Sequence, residues 1–189
     1  MAIELKKGAK INLEKAPNKS FGEILVNLKW NQGKDGIDLD LGCLYELKNG
    51  SKGSIQALGN TFGNLNAPPF ISLDGDDRTG ESAEGENLRI NGNEISKIKR
   101  ILVYTFIYDG AADWKETNGI VTIKYPGSQD IIVRMDEYGS AKTMCGIAMF
   151  ENQNDETFAV EKLVKFFDDH RRLDKAYSWG MKWRTGTKD

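Results

Sequence analysis

Apolar and polar positions alternate with a period of two through most of this chain, in short runs separated by turn residues. Glu23 to Trp30 places Ile24, Val26, Leu28 and Trp30 on one face. Ile37 to Tyr45 places Ile37, Leu39, Leu41, Cys43 and Tyr45 on one face, with Asp38 and Asp40 on the other. Asn87 to Asn91 predicts a short strand. Arg100 to Tyr108 is the strongest β run, dense in β-branched and aromatic residues. Gly119 to Tyr125, Gln129 to Met135 and Thr143 to Glu151 follow at regular spacing. Thr157 to Phe167 predicts a bulged strand, because its alternation slips near Lys162. Met181 to Arg184 predicts a last short strand.

Glycine and asparagine punctuate these runs, in Lys48-Asn49-Gly50-Ser51, Asn91-Gly92-Asn93 and Pro126-Gly127-Ser128. Only Asp169 to Trp179 carries a helical period, with Leu173, Ala176 and Tyr177 at i, i+3 and i+4. The pattern predicts an all-β fold: a two-sheet antiparallel β-sandwich with a short C-terminal helix, a barrel being the alternative. No repeat or linker interrupts it, so one domain over residues 1–189 is expected.

Composition narrows the function classes. An apolar fraction of 39% with 10% aromatics suits a soluble globular protein. A net charge of −2 argues against nucleic acid as a partner, since phosphate binding needs a basic surface. Met1-Ala2-Ile3-Glu4-Leu5-Lys6-Lys7 has no signal-peptide shape, and no apolar run approaches the roughly 20 residues of a membrane span. A cytoplasmic protein without a transmembrane segment is expected. Cys43 and Cys145 each sit in an apolar run and predict buried free thiols. One histidine and no C-x-x-C leave no zinc set.

Candidate chemistry concentrates in one loop. From Asp74 to Glu86 the chain carries six carboxylates and one arginine, a local charge of −5. Hard oxygen ligands on a loop that glycines allow to curl are what Ca²⁺ requires; a solvated acidic surface loop is the alternative. Asp38 and Asp40 point to the same side of their strand, which is costly if buried unpaired and favourable beside a cation. Together the two features suggest a shared metal site. The helix–loop–helix calcium pattern does not fit, because counting from Asp74 its fifth and sixth positions are Arg78 and Thr79.

Other motifs have simpler explanations. His170 has no serine or cysteine in a nucleophile-like turn to serve, so a capping or packing role is expected. Gly53 to Gly63 lacks the Walker lysine and precedes no convincing helix, which suits a loop or hairpin. Trp114, Tyr177, Trp179 and Trp183 are expected to pack core and edges rather than form a stacking platform.

Several blocks in one order resemble the TerD-domain family of bacterial tellurite-resistance and stress proteins, most closely its TerA-like branch. They are Leu5-Lys6-Lys7-Gly8-Ala9-Lys10-Ile11-Asn12-Leu13, then Leu28-Lys29-Trp30 leading to Asp38-Leu39-Asp40-Leu41, and Gly75-Asp76-Asp77-Arg78-Thr79-Gly80-Glu81. Ile107-Tyr108-Asp109-Gly110-Ala111 through Trp114 and Ala176-Tyr177-Ser178-Trp179-Gly180 with Lys182-Trp183 complete them. The resemblance implies a β-sandwich holding Ca²⁺ at one end, with ligands Asp38, Asp40, Asp76, Asp77, Thr79 through its backbone oxygen, Glu81, Glu84 and Glu86.

It implies a non-enzymatic protein that acts through other stress or tellurite-resistance proteins. A calcium-dependent module for a small molecule or sugar, with Trp114 or Trp179 as the stacking surface, and a metal-assisted hydrolase are the alternatives. The chain departs from the family where Asp77-Arg78 replaces Asn-Leu, where Ser82-Ala83 replaces a glycine-rich step, and where Glu84-Gly85-Glu86-Asn87 replaces a run of aspartates. These departures leave the ion count and the late ligands open, and Arg78 is able to fill part of a second site with its own charge.

Overall fold

The structure is a computed structural model and describes residues 1–15, 17, 20–31, 36–110 and 113–188. Along the chain these form β1 (Ile3–Glu4), β2 (Lys10–Asn12), β3 (Glu23–Lys29), β4 (Asp38–Leu47), β5 (Lys52–Ile55), β6 (Gly63–Asn64) and β7 (Ile71–Leu73). Then come β8 (Glu86–Asn91), β9 (Ile98–Asp109), β10 (Ile120–Lys124), β11 (Ile131–Arg134), β12 (Met144–Gln153), β13 (Thr157–Phe167) and the single α-helix α1 (His170–Ala176). Ala111 and Ala112, part of one family block, lie outside the described residues.

One sheet runs β1-β11-β10-β3-β8-β7-β6 and the other β2-β13-β12-β9-β4-β5. Every pairing is antiparallel except β1 with β11, where Ile3 faces Ile131 in parallel. The expected antiparallel sandwich is therefore slightly mixed at one edge. The slip near Lys162 is real: between Gly146 and Ala148 of β12 the partner in β13 jumps from Lys165 to Lys162, and Val164 takes a positive φ of 43°. Gly53 to Gly63 runs from β5 through a tight turn closed by a Gln56–Thr61 bridge, so it is a hairpin.

The period-two residues meet between the sheets. Ile24, Val26 and Leu28 from β3 and Leu88 and Ile90 from β8 pack with Leu39, Leu41 and Cys43 from β4 and Val103 from β9 in one continuous core. Both cysteines are free and buried, as expected. The second sheet is covered on its outer face too. There Leu44, Leu102, Tyr104 and Phe106 pack under Leu173 of α1 and Trp179, so β4 and β9 are buried on both sides.

That outer cover is a strap of coil following α1. The strand expected over Met181 to Arg184 is not a strand. Its backbone instead turns around Asp174, whose carboxylate accepts from the N–H groups of Gly180 (2.7 Å) and Met181 (2.8 Å) and from Trp183 Nε1 (2.8 Å). Trp179 is fully buried, donates Nε1–H to the Tyr45 carbonyl at 3.0 Å, and carries the Arg100 guanidinium 3.7 Å over its ring. Trp114 is fully buried as well, so both rings are packing residues.

His170 opens α1 behind the N-cap Asp169, whose side chain accepts from Arg172 N. It packs against the rings of Tyr104, Phe106 and Trp183 at centroid distances of 5.4, 4.8 and 5.1 Å. Its Nε2 lies 2.9 Å from Gln56 Oε1, an acceptor also used by the Tyr104 hydroxyl, so Nε2 carries the proton of a neutral ring. Burial pushes its pKa down to about 4, against a smaller upward pull from Asp169. A base whose pKa is depressed on folding contributes stability that is present above its unfolded value and lost as pH falls towards the folded one. The contribution of His170 therefore falls by of order 2 kcal/mol between about pH 6.5 and pH 4. Urea melts across that window check it: His170→Gln gains stability relative to the parent as pH falls, and a constant difference between the two proteins overturns the assignment.

Candidate metal centre

The acidic loop, residues 74–85, joins β7 to β8 and folds over one end of the sandwich. Trp30 supports it from below: its Nε1 donates to the Ile37 carbonyl at 2.9 Å, and a Cβ on Gly80 would come within 2.6 Å of that nitrogen. Gly85, at φ +66°, lies so close to β3 that a Cβ would sit 2.1 Å from the Leu28 carbonyl oxygen. Asn27 then clamps the loop's end, its Nδ2 donating to the Glu84 carbonyl at 2.6 Å and to Asn87 Oδ1 at 2.8 Å. The loop is thereby held against the start of β4.

Three of the eight expected ligands converge there. Asp38, Asp40 and Asp76 each offer an oxygen within 4.8 Å of the others. Asp38 and Asp40 are 6% and 0% exposed, so the strand face that bears them is interior rather than solvated. Glu86 stands beside them, 2% exposed, bridging the two sheets. Its carboxylate accepts from the Leu41 amide at 2.7 Å and the Asp77 amide at 3.0 Å, so it joins β4 to the loop.

The remaining candidates are placed elsewhere. The Asp77 carboxylate turns back into its own loop and accepts from the N–H groups of Thr79 (3.0 Å), Gly80 (3.1 Å) and Ser82 (3.2 Å). Thr79, Glu81 and Glu84 are exposed and lie outside the three-carboxylate cluster. Arg78 brings its charge to Asp76 of the three-carboxylate cluster. It donates from Nε to Asp76 Oδ2 at 2.9 Å and from Nη2 to the Lys188 carbonyl at 2.9 Å.

Lys188 is the residue that sequence reasoning missed. Its ammonium lies 3.0 Å from Asp38 Oδ2, 2.8 Å from Asp40 Oδ1 and 3.0 Å from Asp76 Oδ1, with its side chain 3% exposed. The Tyr108 ring lies 4.1 Å from the same nitrogen. No local pattern announces it, since it lies in coil 150 positions after Asp38.

One ammonium does not satisfy this cluster. Among the described residues, Asp38 Oδ1 and Asp40 Oδ2 are buried without a hydrogen-bond partner. Burial, opposed by Lys188, pushes the Asp40 pKa up to about 7, and its carboxylate neighbours add to the rise. Burial likewise raises Asp38 and takes Glu86 to about 8, the latter against the Leu41 amide and with help from the Asp40 charge. At Asp76 burial also pushes upward, but hydrogen bonds from Arg78 and Lys188 outweigh it and hold the carboxyl below its ordinary value. Lys188 itself is held above the usual lysine value by the three carboxylates, against its burial. The site is short of positive charge and has spare oxygen lone pairs, the condition that a hard divalent cation relieves.

Residues 1–125 match the TerD domain. The chain belongs to the TerD-domain family. It is also 40% identical over 191 residues to tellurium resistance protein TerA from an Alcaligenes species, an alignment covering 94% of this chain and 56% of that protein. The chain thus spans about half the length of that relative. A homologue of telluride resistance protein TerD from Streptomyces coelicolor A3(2) superposes with a TM-score of 0.60 over 82% of this chain and 95% of the other, at 17% identity. A second solved protein, described as of unknown function, gives 0.58 over 80% and 92% at 15% identity. At those identities the two structures establish the shared fold alone. Among the described residues no helix is long and apolar enough to cross a membrane.

Proposed function

We propose that this protein binds Ca²⁺ at Asp38, Asp40 and Asp76 and works in tellurite resistance or stress response through protein partners, as a binding protein rather than an enzyme. One observation carries the metal reading: in a buried three-carboxylate cluster that already holds one ammonium, Asp38 Oδ1 and Asp40 Oδ2 still lack hydrogen-bond partners. Those three carboxylates would hold the ion, and Glu86, at the start of β8, is a further buried carboxylate that feels the charges of Asp40 and Asp76. The ion supplies charge neutralisation. Asp77, Asn27 and Gly85 order the loop that presents Asp76, and Trp30 fixes its height above β4. The loop's outer face, with Glu81 and Glu84 exposed, is the surface whose shape a bound ion sets for a partner.

The chemistry favours a partner-mediated role over direct handling of a tellurium oxyanion. The loop is acidic and repels anions, and both thiols are fully buried with pKa values pushed well above the ordinary range by that burial. The sugar-binding alternative loses its platform, because Trp114 and Trp179 expose no ring face. Isothermal calorimetry on metal-stripped protein provides the test. Saturable binding of one Ca²⁺ per chain is expected, with no comparable signal from Mg²⁺, which dehydrates reluctantly and demands tighter octahedral geometry. A flat Ca²⁺ titration to millimolar concentrations overturns the proposal.

A further inference from the structure

The nitrogen of Lys188 stands where a bound cation must stand. An ion held by Asp38, Asp40 and Asp76 needs oxygens at about 2.3–2.6 Å, and the ammonium already lies within 3.0 Å of one oxygen from each. Both cannot be present. We propose that Lys188 is a tethered internal cation that closes the site, so that Ca²⁺ binding expels it and frees the strap segment 184–188. This rests on the calcium reading and adds to it a competitor built into the same chain.

The strap is built for such an exchange. Its early part is fixed by the Asp174 carboxylate through Gly180, Met181 and Trp183. Among the described residues its far end makes three separable contacts: the Lys188 ammonium in the cluster, the Lys188 carbonyl on Arg78, and the Thr187 carbonyl accepting from Gly59 N at 2.7 Å. Between the two anchors, residues 184–186 border a groove of about 670 Å³ lined also by Gln56, His170 and Trp183. Losing the ammonium contact removes the ion pairs to Asp38, Asp40 and Asp76 and leaves, among the described residues, the Lys188 carbonyl on Arg78 and the Thr187 carbonyl on Gly59. Arg78 pairs with Asp76 as well as with Lys188, so it links the metal-facing carboxylate to the strap directly.

Exclusive occupancy has a measurable consequence. If the strap is open in a tenth or less of metal-free molecules, the apparent Ca²⁺ affinity is reduced by at least about tenfold relative to a chain without the competitor. Lys188→Met keeps the aliphatic stem and removes the charge. Calorimetry with CaCl₂ on the full chain and on this variant should show binding about tenfold tighter, or more, in the variant. In the wild type, hydrogen exchange should report that Ca²⁺ deprotects the Gly59 amide while the Gly180 and Met181 amides stay protected.

The outcomes separate the two claims. Equal affinities with an unchanged Gly59 amide overturn the plug and leave calcium binding standing. Silence from both proteins overturns the calcium reading and the plug with it. A silent wild type beside a saturable variant supports the plug and removes calcium from the wild-type function. The exchange measurement uses unaltered protein, so it decides the matter even where Lys188→Met fails to fold.

Discussion

Adding Ca²⁺ to metal-free protein should raise its melting temperature by about 5–10 °C at a free concentration a hundredfold above Kd, and Asp40→Asn should abolish the rise. A ligand that binds only the native state adds RT ln(1 + [L]/Kd), about 2.7 kcal/mol at that excess. For a chain of this size each kcal/mol is worth about 2–4 °C. Asp40 is the ligand to remove because it is fully buried, has an unpartnered oxygen, and reaches the Lys188 ammonium from the ten-residue strand β4. The amide is nearly isosteric, so packing is preserved.

The metal-free variant supplies the control. Burial already disfavours the Asp40 charge, so replacing it with a neutral amide should leave the EGTA melt unchanged or raise it slightly. A variant that loses the calcium shift while keeping its metal-free stability locates the ion. Differential scanning calorimetry at a fixed pH, with EGTA and with CaCl₂, reads both quantities. A shift that survives in Asp40→Asn places the ion elsewhere, and a wild type indifferent to Ca²⁺ sinks the calcium reading.

The parts of this molecule that were legible in its sequence are those written in short-range periodicity. The inward residues of β3 and β4 alternate because one side of each strand faces the common core, and the bulge at Val164 showed itself as a slip in that alternation. Asp76 and Glu86 were legible as charge density, since six acids between Asp74 and Glu86 need an unusual setting, and Asp38 and Asp40 as a pair on one strand face. What those acids do was not legible. Asp76 and Asp77 are adjacent and chemically identical, yet one reaches the cluster and the other binds three loop amides. Composition cannot distinguish an oxygen that meets a cation from one that meets N–H groups.

The cover over the second sheet was hidden for a different reason. Asp38, Asp40, Leu44 and Glu46 share the outer face of β4, and that mixed row looks solvated until the strap arrives from more than a hundred residues away. The strap itself has no period to find, because it is coil held by side-chain acceptors rather than by a ladder. Its two ends meet opposite ends of that row: Arg100, stacked on Trp179, pairs with Glu46, and Lys188 pairs with Asp38 and Asp40.

Asp174→Ala should cost about 3–5 kcal/mol and should loosen the whole strap. The carboxylate is 5% exposed and is the acceptor for the Gly180 and Met181 amides and for Trp183 Nε1. A hydrogen bond to a charged acceptor is worth about 1.5–3 kcal/mol. Gly180 is exposed and Met181 and Trp183 are half-buried, so water takes over part of the bonding, which is why the expectation lies below the simple total. Trp179 shares the loss, because its own amide pairs with the Asp174 carbonyl and its position depends on the turn. Asp174→Asn keeps one strong acceptor and should cost less than half as much. Urea unfolding of the three proteins measures the differences, and a loss below about 1 kcal/mol in the alanine variant would show the turn to be held by packing alone. The same variant bears on the metal site. Lys188 competes with Ca²⁺ at an effective concentration set by how closely its strap is held, and releasing the Asp174 anchor lengthens the free tether from a few residues to about ten. Calcium affinity in Asp174→Ala should therefore rise towards that of Lys188→Met, although no residue of the site has been touched.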